Sequence, residues 1–295
     1  MGSAPRSPRL PFLFASTSAL ALSLAVSGCV TAPGITSTGR PVAPAASPAN
    51  TPDPETEADM ITTVDFGEVE WSFRPRAFIP EAEIVVVSGG EAVVNDVIYE
   101  VGDPVYADLT GNGVLDAAVP ITAYDGNAVD AQWYLWLDID GELVQSPLPI
   151  TQSSQCGTAT WSVTAVDGGV EVHETRRGIG EESIPCSETG TDERRRIVTA
   201  VEARNTGEWW PQQVGPHRGF GGVCPIAAEW EAYPWDEALY AAPDTDLDPI
   251  MPPPGTGVFT VEGWPVYGSD FPGWILVGVL NPDGILGCAW SEVAS

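Results

Sequence analysis

Beyond about residue 64, apolar residues fall in short runs that alternate with polar turn residues. The runs at 83–87, 93–99, 117–121, 132–137, 161–165, 170–173 and 196–201 are rich in Val, Ile, Trp and Tyr. Several alternate between apolar and polar positions, as a half-buried strand does. No long segment has the 3.6-residue period of an amphipathic helix. The pattern therefore predicts a mainly β fold.

Asp-Gly pairs follow or separate several of these runs, at residues 125–126, 140–141, 167–168 and 283–284. Such pairs favour the positive φ angles of tight hairpin turns. The segment 135–144 is one example, since its pattern is that of a strand, a hairpin turn and a second strand. We therefore expect neighbouring strands to be antiparallel.

Composition divides the chain into five segments. Residues 29–63 are rich in Pro, Ala, Thr and Ser, and a segment of this kind buries too little apolar surface to offset its ordering entropy. A loop-like stretch at 206–222 separates an antiparallel β domain at 64–205 from a smaller unit at 223–295. After residues 1–28, the sequence thus predicts a disordered tether, a β domain, a linker and a small C-terminal domain.

Residues 1–28 have the order of a secretory signal, with two arginines, an apolar run at 10–26 and then small residues. A transmembrane anchor is the alternative, but the apolar run is short and contains Pro11 and several hydroxyl side chains. The sequence Val-Ser-Gly-Cys that ends at Cys29 resembles the lipobox of bacterial lipoproteins. The resemblance implies that Cys29 carries acyl chains such as palmitate, and that the mature protein is held on the extracytoplasmic face of the cell membrane.

The charge of the chain limits its partners. It has 41 Asp and Glu residues against 12 arginines and no lysine, for a net charge of −29. Nucleic-acid binding needs clustered cations, and the one run of arginines, 194–196, stands in an acidic background. An acidic surface is also repelled by anionic lipid head groups, so the acyl chains must hold the protein on the membrane. We therefore expect a wall polymer, a peptide or an envelope protein as partner, and no nucleic acid.

Four further cysteines follow Cys29, namely Cys156, Cys186, Cys224 and Cys288. An even number in an exported chain indicates disulfides. Of the three pairings that four cysteines allow, spacing favours Cys156 with Cys186 and Cys224 with Cys288, because each bridge then stays within one predicted domain. A zinc site is the alternative, but the chain has no CxxC spacing and both histidines are far from any cysteine pair.

The segment from Asp108 to Asp116 places side-chain oxygens at its first, third, fifth and ninth positions, with glycine at the sixth. It is similar to the calcium loops of integrin-α (FG-GAP) repeats, which also precede a hydrophobic strand. The resemblance implies a weak calcium site formed by Asp108, Thr110, Asn112, the Val114 carbonyl and Asp116. Thr110 and Asn112 replace carboxylates, and the loop occurs once, so a propeller is not implied. A metal-free turn in which these side chains bond the backbone is the alternative.

The C-terminal segment resembles bacterial SH3-type domains in four motifs. These are Ala-Leu-Tyr-Ala-Ala-Pro at 238–243, Gly-Thr-Gly-Val-Phe-Thr-Val at 255–261, Gly-Trp-Ile-Leu-Val at 273–277 and Asp-Gly-Ile-Leu-Gly-Cys at 283–288. The resemblance implies a small SH3-like β-barrel. Tyr240, Trp264 and Tyr267 are its candidates for a peptide or glycan groove, with packing in the barrel core as the alternative. Trp274 is assigned to the core.

Enzyme signatures are mostly absent, since the chain has no GxSxG, HExxH or Walker motif and no lysine. His173 lies in an alternating strand pattern that is typical of a cross-strand surface residue, and His217 lies beside Arg218 in a glycine-rich loop. We therefore expect no catalytic residues and no cofactor other than calcium. The function predicted is that of a non-catalytic, membrane-anchored lipoprotein that binds an envelope ligand. The alternative is a carboxylate-dependent cell-wall hydrolase, which requires two carboxyl groups across one cleft.

Overall fold

The computed structural model describes residues 59–75, 82–154, 158–178, 181, 183–224, 235, 237–251, 255–260, 271, 273–281 and 284–292. These residues contain two short 3-10 helices, Met60–Thr63 and Phe66–Glu68, and no α-helix. The strands are β1 (Glu70–Phe73), β2 (Glu83–Val86), β3 (Glu91–Val94), β4 (Val97–Val101), β5 (Val105–Ala107), β6 (Asp116–Asp125), β7 (Ala128–Ile139), β8 (Glu142–Gln145), β9 (Thr151–Ser154), β10 (Ala159–Val166), β11 (Gly169–Arg176), β12 (Asp192–Ala203), β13 (Glu208–Gly215), β14 (Gly219–Phe220), β15 (Gly257–Thr260), β16 (Trp274–Asn281) and β17 (Gly284–Glu292). The prediction of a mainly β fold is confirmed.

The strands form a two-stranded ribbon, a seven-stranded sheet and an eight-stranded sheet. The ribbon pairs β1 with β2. The seven-stranded sheet has the order β3-β4-β6-β7-β8, with β5 paired to β6 and β9 paired to β7. The eight-stranded sheet has the order β10-β11-β12-β13-β14-β17-β16-β15. The strand pairs are antiparallel, as the hairpin turns in the sequence predicted.

Strand β7 shows that the seven-stranded sheet is covered on both faces. Trp136 packs edge-on against Trp71 of the ribbon, with ring centroids 5.0 Å apart. Its neighbour Leu135 belongs instead to a core cluster with Val172 of the eight-stranded sheet. Successive side chains of a strand point to opposite faces, so the seven-stranded sheet lies between the ribbon and the eight-stranded sheet. The apolar run at 117–121 is nearly continuous because both of its faces are buried.

Residues 93–99, predicted as one strand, form two strands joined by a hairpin turn. Asn95 and Asp96, between β3 and β4, have φ values of 51° and 68°. Asn and Asp tolerate this left-handed region better than most side chains, so the turn forms without glycine. The hairpins predicted at 140–141 and 167–168 are confirmed as the β7–β8 and β10–β11 connections.

The folded part begins within the predicted tether. Ile61, in the 3-10 helix Met60–Thr63, is fully buried in the core cluster that contains Trp71. Residues 206–222, predicted as a linker, contain β13 and β14. Phe220 of β14 pairs with Cys288 of β17, so strands from both sides of this segment belong to one sheet.

An aromatic cluster packs the C-terminal strands together. Trp210 lies 5.0 Å from Phe271 and 5.5 Å from Trp290 between ring centroids, in edge-on geometry. The disulfide between Cys224 and Cys288 belongs to the same cluster, with Cα atoms 5.5 Å apart. This bridge is the one that cysteine spacing predicted.

Candidate functional site

The three consecutive arginines at 194–196 lie in β12, where alternation sends them to opposite faces of the sheet. The Arg194 side chain is 14% exposed, and Arg196 is buried. Arg195, between them, has a side chain that is 56% exposed. Two guanidinium groups therefore enter the protein interior from one strand, and the third remains at the surface.

Glu174, in the adjacent strand β11, is the centre of a buried charge cluster. Its Oε1 accepts hydrogen bonds from Arg176 Nε at 2.7 Å and Arg196 Nε at 3.0 Å, and Thr151 Oγ1 donates to Oε2 at 2.6 Å. Arg176 Nη2 also donates to Oε1. Burial alone would raise the pKa of Glu174, but the charges of Arg176 and Arg196 outweigh it and hold that pKa well below its usual range. One carboxylate charge is thus shared by two buried arginines.

Backbone carbonyls hold the guanidinium groups of this cluster in place. Arg196 Nη1 donates to the Gly221 carbonyl at 2.6 Å, and its Nη2 donates to the Ile150 carbonyl. Arg176 Nη1 lies 3.5 Å from the Cys224 carbonyl. Burial lowers the pKa of Arg196, because the charged form is costly to desolvate. The cluster is therefore rigid, and it joins β11 and β12 to the start of β9 and to the loop after β14.

Arg194 lies beside this cluster and has one guanidinium nitrogen that could donate hydrogen bonds to a ligand. Its Nε and Nη2 donate to Asp192 Oδ2 at 2.8 and 2.5 Å, and Nη1 has no acceptor among the described residues. Burial, and then repulsion from Arg176, lower the pKa of Arg194. On this face three guanidinium groups meet the two carboxylates of Glu174 and Asp192. One positive charge is uncompensated, so a bound anion would be stabilised here.

The same arginines line a cavity. Arg176, Arg194 and Arg196 border a space of about 260 Å³, whose lining also includes Arg195. A second space of about 330 Å³ adjoins it and includes Arg218. The residues common to both walls are Gln213, Pro216, His217 and Gly287. The fold thus brings together two features that the sequence showed separately, namely the arginine run at 194–196 and the pair His217-Arg218.

The outer face of β11 and β12 carries a separate network. Glu193 Oε1 lies 2.7 Å from His173 Nε2, and Arg195 Nη2 lies 3.2 Å from His173 Nδ1. Arg195 Nη1 donates to Glu171 Oε1 at 2.8 Å. His173 is therefore a cross-strand residue, as its alternating pattern predicted, and it lies on the face opposite Arg194.

The predicted calcium loop is closed by its own side chains. Asp108 Oδ1 accepts from the Gly111 amide at 2.7 Å and Oδ2 from the Gly113 amide at 2.9 Å, while Asn112 Oδ1 accepts from the Val114 amide at 2.7 Å. The two glycines have φ values of 74° and 84°, which other residues rarely adopt. This is the arrangement of the metal-free alternative, and calcium binding stays a prediction.

Asp116 ties the loop to the sheets. It is fully buried, and its Oδ2 accepts from the Leu109 and Thr110 amides at 2.9 and 3.1 Å, while Oδ1 accepts from the Asp138 amide of β7 at 2.9 Å. Burial raises the pKa of Asp116, and the three amides partly oppose that rise. The Ala200 amide of β12 donates to the Leu109 carbonyl at 2.9 Å. Within the described ranges, no group of three or more His, Cys, Asp or Glu side chains could hold a metal ion. Asp116 therefore has a structural role, whether or not calcium also binds, because its hydrogen bonds connect the loop to β7.

Of the three candidate groove aromatics, Tyr240 is described, whereas Trp264 and Tyr267 lie outside the described residues. Tyr240 exchanges two backbone hydrogen bonds of 2.8 Å with Trp290 of β17. Its ring meets Trp274 edge-on, with centroids 5.7 Å apart. Tyr240 is half-buried, and it lies in neither of the arginine-lined cavities.

Two of the other predicted cysteines, Cys29 and Cys156, lie outside the described residues. Cys186 is disulfide-bonded. Lipid attachment at Cys29 therefore stays a prediction. In the part of the chain that the structure describes, no helix has the length and apolar character needed to cross a membrane.

The sequence analysis missed Glu174 and Arg176. The signal was present, because the two residues lie at alternate positions of the strand pattern that contains His173 and therefore share the face opposite to it. Only the register between β11 and β12, which places Glu174 opposite Arg194, shows that the arginine run meets a carboxylate.

No protein-family model, curated protein or solved structure matches the chain. The candidate site is therefore defined by the geometry of this chain alone.

Proposed function

We propose that this protein is a lipid-anchored, extracytoplasmic binding protein whose arginine-lined cavity holds an anionic group of an envelope ligand. One observation carries the proposal. Among the described residues, the carboxylates paired with Arg176, Arg194 and Arg196 are those of Glu174 and Asp192, in a chain whose net charge is −29. A local excess of positive charge in so acidic a protein is an unusual arrangement unless an anion uses it.

The arrangement suits binding because the donors are fixed in advance. Hydrogen bonds to Glu174, Gly221 and Ile150 hold the two innermost guanidinium groups, so little rotamer entropy is lost when an anion arrives. Guanidinium groups form charge-assisted, often bidentate hydrogen bonds with carboxylates and phosphates. The low-dielectric wall strengthens these bonds relative to a surface site.

The contacts favour binding over catalysis. The carboxylates that line the first cavity, Asp192 and Glu193, already contact Arg194 and His173. The alternative of a carboxylate-dependent hydrolase has weaker support. Asp108 and Asp167 do line one cavity of about 460 Å³, but both oxygens of Asp108 already accept backbone amides.

Anchoring at Cys29 would keep the domain at the outer membrane surface, where wall polymers, peptides and other envelope proteins are the available ligands. The acidic remainder of the chain would repel anionic polymers everywhere except at the cavity. In this proposal the anchor determines where the protein lies, and the charge distribution determines which ligands it binds.

The test is isothermal titration calorimetry, in which acetate or inorganic phosphate is titrated into the full chain at constant ionic strength. We expect the parent to bind an anion and Arg194→Gln to bind it at least about tenfold more weakly, since one charge-assisted hydrogen bond contributes roughly 1.5–3 kcal/mol. Arg204→Gln is the matched control, because it removes an exposed arginine that lines neither cavity. Equal binding by the parent and Arg194→Gln, or no binding by a parent with native near-UV circular dichroism, would refute the proposal.

A further inference from the structure

The second cavity differs in chemistry from the first. Beyond the shared wall and Arg218, its lining is mainly apolar, with contributions from Pro249, Ile250, Met251 and Val279. Met251 is 84% exposed, although it borders this space. A cationic cavity and an apolar cavity therefore share one wall.

The apolar side is held by backbone pairing and by the disulfide. The Ile250 amide donates to the Leu239 carbonyl at 2.7 Å, which fixes the segment that carries Met251. Val279 belongs to β16, and Cys288, also in the lining, is bridged to Cys224. A ligand would therefore meet a preformed surface, and the flexible side chain of Met251 could adapt to its shape.

We propose that the two cavities form one amphipathic groove that binds a carboxylate attached to an apolar substituent. The carboxylate lies against Arg194 in the first cavity, and the apolar substituent lies against Met251 in the second. This inference rests on the proposed function and specifies its ligand class. Two sources have this chemistry, namely the C-terminus of an apolar peptide and a fatty acid.

The charge count places the carboxylate in the first cavity. The inward face there has three guanidinium groups and two carboxylates, so a single negative charge neutralises it. Arg218 adds a further positive charge to the lining of the second cavity. The second cavity, at about 330 Å³, is at the lower end of the volumes of small-molecule pockets, and the first, at about 260 Å³, is slightly smaller.

The experiment compares four probes by calorimetry on the full chain: acetate, N-acetyl-leucine, N-acetyl-leucinamide and octanoate. We expect N-acetyl-leucine to bind at least about tenfold more tightly than acetate, because burial of a leucine side chain favours binding. N-acetyl-leucinamide, which lacks the negative charge, should bind at least about tenfold more weakly than N-acetyl-leucine.

Two variants separate the ends of the groove. Met251→Ser should weaken N-acetyl-leucine several-fold and leave acetate unchanged, and its high exposure makes a folding defect unexpected. Arg194→Gln should weaken both ligands, whereas Arg204→Gln, at an exposed arginine outside both cavities, should weaken neither.

The outcomes distinguish this inference from the proposed function. If acetate binds through Arg194 but the leucine side chain adds no affinity, the amphipathic groove is refuted and the anion site stands. If none of the anions binds, both fail. Tighter binding of octanoate than of N-acetyl-leucine supports the groove and assigns it to fatty acids, and the reverse order assigns it to peptide C-termini.

Discussion

Replacing Glu174 with glutamine tests the buried cluster most directly. The substitution keeps the shape of the side chain and removes the charge that two buried arginines share. Glu174 is 1% exposed, so water cannot replace that charge. Arg176 and Arg196 would remain in the interior with like charges and no carboxylate between them.

The expected loss is large relative to the stability of a domain. Removing one partner of a buried ion pair typically destabilises by about 3–5 kcal/mol. Glutamine can still accept one of the hydrogen bonds through its amide oxygen, so the lower end, about 3 kcal/mol, is the expected value. Because whole domains are stable by only about 5–15 kcal/mol, urea unfolding would detect such a change readily.

The effect should also depend on pH in a defined direction. The pKa of Glu174 in the folded protein lies below its ordinary value of 4.5. Its contribution to stability is therefore complete above about pH 4.5 and is lost as the pH falls towards the folded-state value. Between pH 4.5 and pH 3 the difference between parent and variant should shrink by up to about 2 kcal/mol, whereas between pH 7 and pH 5 it should stay constant.

The assay is urea unfolding followed by tryptophan fluorescence at pH 7, 5 and 3, for the parent, Glu174→Gln and Glu193→Gln. Glu193 is the control, because its side chain is 65% exposed and its ion pair with His173 should contribute less than about 1 kcal/mol. If Glu174→Gln were no more destabilising than Glu193→Gln, or if its effect did not change between pH 5 and pH 3, the cluster would not have the role that we assign to it.

Two further predictions concern the anchor and the loop. Cys29→Ser should release the protein from membranes into the medium or block its processing, and fractionation of the variant with membranes like the parent would refute the lipobox interpretation. Millimolar calcium, but not sodium at equal ionic strength, should raise the melting temperature by a few degrees, since ligand at ten times its Kd stabilises by about 1.4 kcal/mol. That shift should vanish in Asp108→Ala and persist in Asp125→Ala, and a calcium-insensitive parent would favour the metal-free turn.

Local signals in the sequence predicted several of the strands and hairpins, whereas β1, β5, β9, β13 and β14 have no counterpart among the predicted runs. Asp-Gly pairs at 140–141 and 167–168 marked turns correctly, because their backbone preference is local. The turn at Asn95 and Asp96 was missed, since it uses a rarer residue pair inside a run that is otherwise apolar. Ile61 was assigned to the tether because a single apolar residue carries no periodic signal, and its burial depends on distant strands.

The candidate site was less predictable, because its contacts join residues that are distant in the sequence. The arginine run at 194–196 was visible, but its meaning depends on which neighbours the sheet register supplies. Glu174 lies opposite Arg194 because of strand pairing, and His217 reaches the same cavity through a loop after β13. No local pattern encodes these contacts, so the sequence could supply the residues of the site and not their arrangement.

The connection between β14 and β17 has a consequence for the timing of folding. The register that joins the two parts of the eight-stranded sheet comprises one residue pair, Phe220 with Cys288, and the bridge from Cys224 to Cys288 reinforces it. Such a bridge does not persist in a reducing compartment. On the proposed export route, the chain would cross the membrane before this seam is covalently closed. The short β14–β17 pairing would then gain its disulfide only after translocation. A disulfide formed earlier would give the chain a covalent loop that could obstruct its passage through the membrane.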